Sequence, residues 1–430
     1  MKRKKIHFTI EYIVLALMVF TLALDRRLLP PLMLLLSFNW LVEVFGDVYH
    51  KLFLKSQKSM VAFPYKWNNL SKNRLILALG LYSGLFLLYA IGLLYSENMS
   101  HGRFDIVSKL SLLAMPVILF TSDSTFWNKS LVKWLFNLFI LGCLIGIAYC
   151  MYHSYTLYQT DHAMQDFFYQ KHSAFHHPSY ASMYYIFALS IMLYNLLNQQ
   201  YKLYEKIISF ILIPLFILEV FLLSSKTAFL VMFFVAVLFI FYIIIHKHHR
   251  LLNLSVALIL LLISISIFKF MPDKYNRFLL KFNHIHSFED VKEDVRYTIW
   301  DTSWEAAKEN LPFGVGSGDI KDVLKSKYSE RSLSYFNKRE YNTHNQYLQI
   351  LLAVGIPGIL LFVSGLFYTL YVSMQKRCFL YLVFMLIIAI NLLTESMLER
   401  QSGVVFYAIF NAFLCLIAFI IPHSKLPAKP

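Results

Sequence analysis

His344 stands where a polar part of the sequence meets a long apolar run, in the stretch THNQYLQILLAVGIPGILLF at 343–362. Asn342 and Thr343 are good N-cap residues, so the sequence predicts that His344 begins a helix. The positive potential at a helix N-terminus favours neutral imidazole, which can accept a proton from a hydroxyl group. His344 is therefore a candidate general base. The alternative is an interfacial polar residue that marks a membrane boundary.

Two cations could stabilise developing negative charge. Arg296 lies on a predicted amphipathic helix, on the same face as Trp300, Ser303 and Ala307. Its planar guanidinium group can bind a phosphate through two hydrogen bonds. The alternative is an ordinary solvated charge on the helix surface. Lys226 lies in an SSKT turn between two apolar runs, where it could point inward to an anionic ligand or outward to lipid headgroups.

A histidine cluster raises the possibility of a metal site. His172, His176 and His177 have H-x3-H-H spacing, which can place two rings on one face of a helix. Pro178 would end any helix there, and no acidic motif accompanies the rings. A metal site is therefore the less favoured interpretation of these histidines.

Glycines and carboxylates mark two further segments. The run NLPFGVGSG at 310–318 lacks the Lys-Ser/Thr ending of a phosphate loop and follows no strand, so it predicts a turn at the membrane surface. Glu395, Glu399 and Arg400 lie at the end of an apolar run. A pair between Glu399 and its neighbour Arg400 fits a structural role as well as a functional one.

The elements that must position these residues are transmembrane helices. Of the 430 residues, 58% are hydrophobic and only 15% are charged, whereas soluble domains have about 25% charged residues. The apolar runs have the length of spanning helices, and the weak alternation of a β-barrel is absent. The sequence thus predicts an all-α polytopic membrane protein with about 12 transmembrane helices and one large periplasmic loop that carries short helices. The predicted spans are 8–24, 28–45, 75–95, 104–120, 131–152, 180–197, 207–223, 228–246, 251–270, 346–372, 378–394 and 404–421.

The formal net charge of +15 is assigned mainly to cytoplasmic loops and not to nucleic-acid binding. The distribution of Lys and Arg over the short loops places both termini in the cytoplasm and the candidate residues on the opposite side. The predicted organisation is a set of N-terminal transmembrane helices at 1–206, a second region at 207–421 and a cytoplasmic tail at 422–430. The second region includes the outward loop 271–345.

Four blocks taken together resemble the O-antigen ligase and O-antigen polymerase superfamily. The block LLSSKTAFLVMF at 222–233 resembles the family's Ser-Arg-Thr turn that opens a span, and the segment 296–320 resembles its R-x3-W helix followed by a glycine turn. The segment 343–362 resembles its H-N-x-x-L helix, and TESMLERQSGVVFYAIFNAF at 394–413 resembles a closing block found in some members. The likeness covers about residues 220–421.

This resemblance implies a bacterial inner-membrane glycosyltransferase that needs no metal or other cofactor. Its donor would be a glycan on undecaprenyl diphosphate at the periplasmic face. The family's loop His matches His344, and its loop Arg matches Arg296. The Arg of the family's turn matches Lys226, which keeps the positive charge but lacks the planar guanidinium group. The remaining candidate supporting residues are Trp300, Asn345, Glu395, Glu399 and Arg400.

The leading expectation is an inverting ligase that moves the glycan to lipid A–core. One alternative is a polymerase of the same superfamily, which uses a second lipid-linked glycan as acceptor. Another is a transporter of anionic solutes, which would need charges in mid-span or broken helices paired by an inverted repeat. The central predicted spans are interpreted as nearly devoid of charge and no such repeat is evident, so the transporter is less favoured.

Overall fold

A computed structural model of the chain describes residues 2–53, 69–123, 125–198, 202–246, 295–339 and 341–420. Within these ranges the chain is helical and contains no β-strand, which confirms the predicted all-α class. The first seven helices are α1 (Lys2–Thr21), α2 (Leu29–Phe53), α3 (Asn69–Leu93), α4 (Met99–Lys109), α5 (Ser111–Thr121), α6 (Lys129–Asp161) and α7 (Tyr169–His172).

The later helices carry the candidate residues at their ends. They are α8 (Pro178–Leu197), α9 (Leu203–Leu223), α10 (Lys226–His246), α11 (Val295–Glu309), α12 (Ile320–Glu330), α13 (Ser334–Arg339), α14 (Gln346–Gln375), α15 (Phe379–Thr394) and α16 (Gln401–Ile420). Between α15 and α16 lies a short segment, residues 395–399, that we call the closing turn; it includes a 3-10 turn at Met397–Glu399.

Nine helical segments in the described ranges are long and apolar enough to cross a membrane, so the protein is a multi-pass membrane protein. The helix α15 is apolar but shorter than these. The predicted span 251–270 lies outside the described residues, so the count of about 12 stays a prediction. The predicted span 104–120 consists of two helices, α4 and α5, which meet at Leu110.

The bundle is organised around α16, the most deeply buried of the described candidate spans. Its rings Phe406 and Phe410 join a cluster of aromatic side chains from α6, α8 and α15. Phe410 lies 4.9 Å, centroid to centroid, from both Phe139 and Phe187. Such edge-on and tilted ring contacts stabilise a core beyond the area that they bury. The start of α16, next to the closing turn, is therefore anchored in the centre of the molecule.

The helix α14 is broken at Gly355, whose φ of +64° and ψ of −155° are not helical. The glycine turn at 310–318 fills the gap, because Val315 N–H donates to the Leu352 carbonyl at 2.9 Å and Gly316 N–H donates to the Ala353 carbonyl at 2.9 Å. In return, Ile356 N–H donates to the Pro312 carbonyl at 2.8 Å. A turn at 310–318 is thus confirmed, and it pairs with the break in α14; its place at the membrane surface stays a prediction.

Candidate active site

His344 lies before α14 and not at its start, which corrects the expectation that it begins the helix. The helix begins at Gln346, and its N-cap is Asn345, whose side chain accepts from the backbone N–H groups of Tyr347 and Leu348. His344 itself has a left-handed φ of +44°. The loop before α14, and not the first turn of the helix, therefore positions His344.

A carboxylate is the closest charged partner of this ring. His344 Nδ1 lies 3.3 Å from Glu395 Oε2 in the closing turn. The other oxygen, Glu395 Oε1, lies 3.3 Å from Arg296 Nη2 and accepts from the Ser179 hydroxyl at 3.4 Å. Glu395 thus connects the two sequence-predicted candidates, and we call Arg296, His344 and Glu395 the Arg-His-Glu cluster.

The helix α11 brings Arg296 to this position. Its buried face consists of Ile299, Thr302, Ser303, Ala306 and Ala307, which agrees with the predicted amphipathic helix. One turn after Arg296, Trp300 Nε1–H donates to the His344 carbonyl at 3.3 Å. This hydrogen bond therefore links α11, which carries Arg296, to the backbone of His344.

Exposure differs sharply within the Arg-His-Glu cluster. The side chains of Arg296 and His344 are 39% and 29% exposed, whereas that of Glu395 is 9% exposed. The carboxylate consequently lies beneath the two groups that a substrate could reach. Burial alone would raise the pKa of Glu395. The hydrogen bond with His344 and then the charge interactions with His344, His177 and Arg296 outweigh burial and lower the pKa below its ordinary value.

The ionised state of Glu395 fixes the roles of the two imidazole nitrogens. A carboxylate can only accept hydrogen bonds, so Nδ1 of His344 must carry a proton and donate it. In the neutral ring, Nε2 then keeps its lone pair and can accept a proton from a hydroxyl group. The arrangement is that of a base and the residue that orients it.

Lys226 lies at the edge of the same region. It is the exposed first residue of α10, and the next residue, Thr227, is within 2.8 Å of the Thr394 hydroxyl, hydroxyl to hydroxyl. Thr394 directly precedes Glu395. The helix α8 also begins here, with His177 as its N-cap and Ser179 bonded to Glu395. The N-termini of α8 and α10 thus face one region, and their partial positive charge favours an anion there.

The remaining supporting candidates have separate positions. Asn345 caps α14, and Arg400 is exposed. Glu399 points into the protein, where Oε2 accepts from Lys109 at 2.8 Å. Burial opposes ionisation, but the charge and hydrogen bond of Lys109 lower the pKa of Glu399. Sequence analysis did not select Lys109, although a lysine inside an apolar run is a signal for a buried functional or structural pair.

The three histidines of the suggested metal cluster point to different partners. His172 is fully buried, with Nε2 3.0 Å from Glu219 Oε1 and Nδ1 2.8 Å from the Ser154 hydroxyl. His176 Nδ1 lies 3.0 Å from the Ser402 hydroxyl, and burial lowers the pKa of this ring to about 4. Within the described ranges, no group of three His, Cys, Asp or Glu side chains could hold a metal ion.

His177 is the member of that cluster that lies next to the candidate site in the chain. It is the N-cap of α8, two residues before Ser179, whose hydroxyl donates to Glu395. Burial lowers the pKa of the His177 ring. The sequence argument grouped this residue with His172 and His176 by spacing alone. A stronger signal was its position just before Pro178, since proline is favoured in the first turn of a helix.

Residues 210–363 match the family model described as O-antigen ligase. This range includes three of the four blocks noted in the sequence and ends before the block at 394–413. It contains Lys226, Arg296 and His344. The search of curated proteins gave no match to the chain.

Proposed function

From residues 210–363, which belong to the O-antigen ligase superfamily, we propose that this membrane protein is a ligase. In this proposal it moves a glycan from undecaprenyl diphosphate to a lipid A–core acceptor at the periplasmic face of the bacterial inner membrane. The observation that carries the proposal is the shared contact of Glu395 with Arg296 and His344. It pairs an oriented base with a phosphate-binding cation, the two functions that this transfer requires.

His344 is proposed to act on the acceptor. As the acceptor hydroxyl oxygen bonds to the anomeric carbon, its proton passes to Nε2 of His344. The bond from the anomeric carbon to the diphosphate oxygen breaks, and the electron pair leaves with undecaprenyl diphosphate. In-line attack of this kind inverts the anomeric configuration. Glu395 holds the ring in the tautomer that can accept this proton.

Arg296 and Lys226 are proposed to act on the donor. Negative charge grows on the diphosphate as it leaves, and cations placed there stabilise the transition state without a metal ion. The N-termini of α8 and α10 add partial positive charge to the same region. The roles of Trp300 and Asn345 are to hold the backbone around His344 and not to touch the substrate.

The experiment uses the purified protein in lipid nanodiscs with a glycan on undecaprenyl diphosphate. One reaction contains lipid A–core as the acceptor, and a second contains only further lipid-linked glycan. The proposal predicts transfer to lipid A–core. Growth of the lipid-linked glycan instead would identify a polymerase of the same superfamily, and transfer in neither reaction would contradict a glycosyltransferase role for this chain.

A further inference from the structure

A buried ion-pair network lies directly behind the closing turn. Lys109, the last residue of α4, is fully buried. Its ammonium group donates to Glu399 Oε2 at 2.8 Å and to Asp105 Oδ1. It also lies 4.5 Å from the centroid of the buried Tyr89 ring. A lysine in this setting is held in one place by charge, hydrogen bonds and the ring at once.

The network continues into the helix that follows His344. The second oxygen of Glu399 accepts from Gln346 Nε2 at 3.3 Å, and Gln346 Oε1 accepts from the Leu398 N–H at 2.7 Å. Gln346 is the fully buried first residue of α14, two positions after His344. Glu399 therefore connects α4 to the start of α14.

The closing turn thus has two faces with different tasks. Its outer face presents Glu395 to His344 and Arg296, and its inner face presents Glu399 to Lys109 and Gln346. A further hydrogen bond of 2.9 Å joins the hydroxyls of Ser396 in this turn and Thr343. A shift of the turn would therefore move both the base and the carboxylate that orients it.

We propose that Lys109 is a positioning residue for the active site: through Glu399 it fixes the closing turn and the start of α14, and so aligns Glu395 with His344. This inference rests on the proposed transferase function for its kinetic readout. Lys109 does not touch the substrate in this proposal. It acts only through the turn.

The lysine has two carboxylate partners, and this offers a matched pair of variants. Substitution of Lys109 itself by Met would leave two buried carboxylates without a cation, and we expect such a variant to fold poorly. Glu399→Gln removes the charge-assisted link to the closing turn, yet it leaves Lys109 paired with Asp105. Asp105→Asn removes the other carboxylate and leaves the link between Lys109 and Glu399 intact. Each variant keeps one cation and one anion buried.

We expect Glu399→Gln to lower kcat by about 10- to 100-fold with little change in KM, because misalignment of reacting groups acts on the chemical step. Asp105→Asn should stay within about twofold of the wild type, because the contact between Lys109 and Glu399 that reaches the closing turn is kept. Restoration of a good fraction of kcat by Glu399→Asp would add support, because the shorter carboxylate keeps the charge. Equal losses in Glu399→Gln and Asp105→Asn, or no loss in Glu399→Gln, would overturn the inference.

A second readout does not depend on transfer. Diethyl pyrocarbonate modifies the imidazole lone pair, and mass spectrometry can follow the modification of the peptide that contains His344. We expect slower labelling in Glu399→Gln than in Asp105→Asn, because the hydrogen bond from Nδ1–H to Glu395 keeps the Nε2 lone pair of His344 available and basic. If the wild type transfers no glycan, the proposed function fails, but this labelling comparison still decides the inference: equal labelling of the two variants would overturn it.

Discussion

Glu395 joins residues that are far apart in the sequence. Its contacts reach 99 residues back to Arg296 and 51 residues back to His344. Residue types and spacing made these two partners candidates beside an ordinary structural alternative, and the resemblance to the O-antigen ligase and polymerase superfamily favoured the functional one. The contact itself could not be predicted, since no local pattern specifies which carboxylate of the closing segment turns outward.

Replacement of Glu395 by Gln tests the orienting role of the carboxylate. The amide keeps the size of the side chain, but it can donate to Nδ1 of His344 and so favour the wrong tautomer. We expect kcat to fall on the order of 100-fold or more, with a smaller effect on donor affinity. Initial rates of glycan transfer measure this. Unchanged kcat in folded protein would remove Glu395 from the mechanism.

The same carboxylate predicts a pH dependence of stability. The pKa of Glu395 is lower in the folded protein than its ordinary value of 4.5. Its contribution to stability is therefore present above about pH 4.5 and is lost as the pH falls through the lower, folded-state pKa. We expect the wild type to exceed Glu395→Gln in thermal stability at pH 7, with the difference shrinking below pH 4.5. A difference that grows on acidification would contradict this assignment.

Lys226 is the position where the chain departs from the pattern of the family that it resembles. Lys226→Arg restores the planar guanidinium group, so we expect full or higher activity. Lys226→Ala removes one cation, so we expect the KM for the donor to rise by about tenfold. Lys202, an exposed lysine before α9, is the matched control, and Lys202→Ala should leave the KM unchanged. Equal KM values for Lys226→Ala and Lys202→Ala would exclude a diphosphate role for Lys226.

At the scale of elements, the helix ends are what bring the candidate residues together. Hydrophobic runs predicted most helices well, because length and apolarity dominate in a membrane protein. The break of α14 was not predicted, since AVGIPG reads as a continuous apolar run. Backbone hydrogen bonds from the distant glycine turn at 310–318 satisfy groups on both sides of the non-helical Gly355.

Lys109 and Asp105 illustrate what hydropathy overlooks. The sequence analysis treated the central spans as nearly free of charge, yet these two residues lie four positions apart within the predicted span 104–120. An oppositely charged pair at this spacing lies on one face of a helix and can be buried together. That pattern was visible in the sequence and is the signal that the prediction missed.

Two glycine substitutions test the break in α14. A Cβ on Gly355 would lie 1.9 Å from the Pro312 carbonyl oxygen, and the φ of +64° disfavours any side chain. We expect Gly355→Ala to lower stability by more than about 2 kcal/mol and to reduce transfer. Gly80→Ala in α3 is the control, because a Cβ there meets nothing within 4 Å and alanine favours helix. Equal melting temperatures for the two variants would contradict the account of the break.

At the scale of the whole molecule, the buried α16 and the helices around it form a scaffold for the polar site at its edge. The aromatic core fixes the position of α16. Because the closing turn directly precedes α16, its position is fixed as well, and so is that of Glu395 at the beginning of the turn. The class of fold was predictable from composition and from the length of the apolar runs. The acceptor could not be predicted from the sequence, because loops that recognise acceptors follow no general code. The transfer experiment with the two acceptors decides it.

Single-turnover transfer with a chelator present, by the wild type and by His344→Ala, tests whether His344 and the two cations carry the reaction. We expect the wild type to transfer glycan at its full rate in the chelator, because Arg296 and Lys226 supply the positive charge. We expect His344→Ala still to bind the lipid-linked donor but to transfer glycan about 100-fold or more slowly. Full transfer by His344→Ala, or loss of wild-type transfer in the chelator, would contradict these roles.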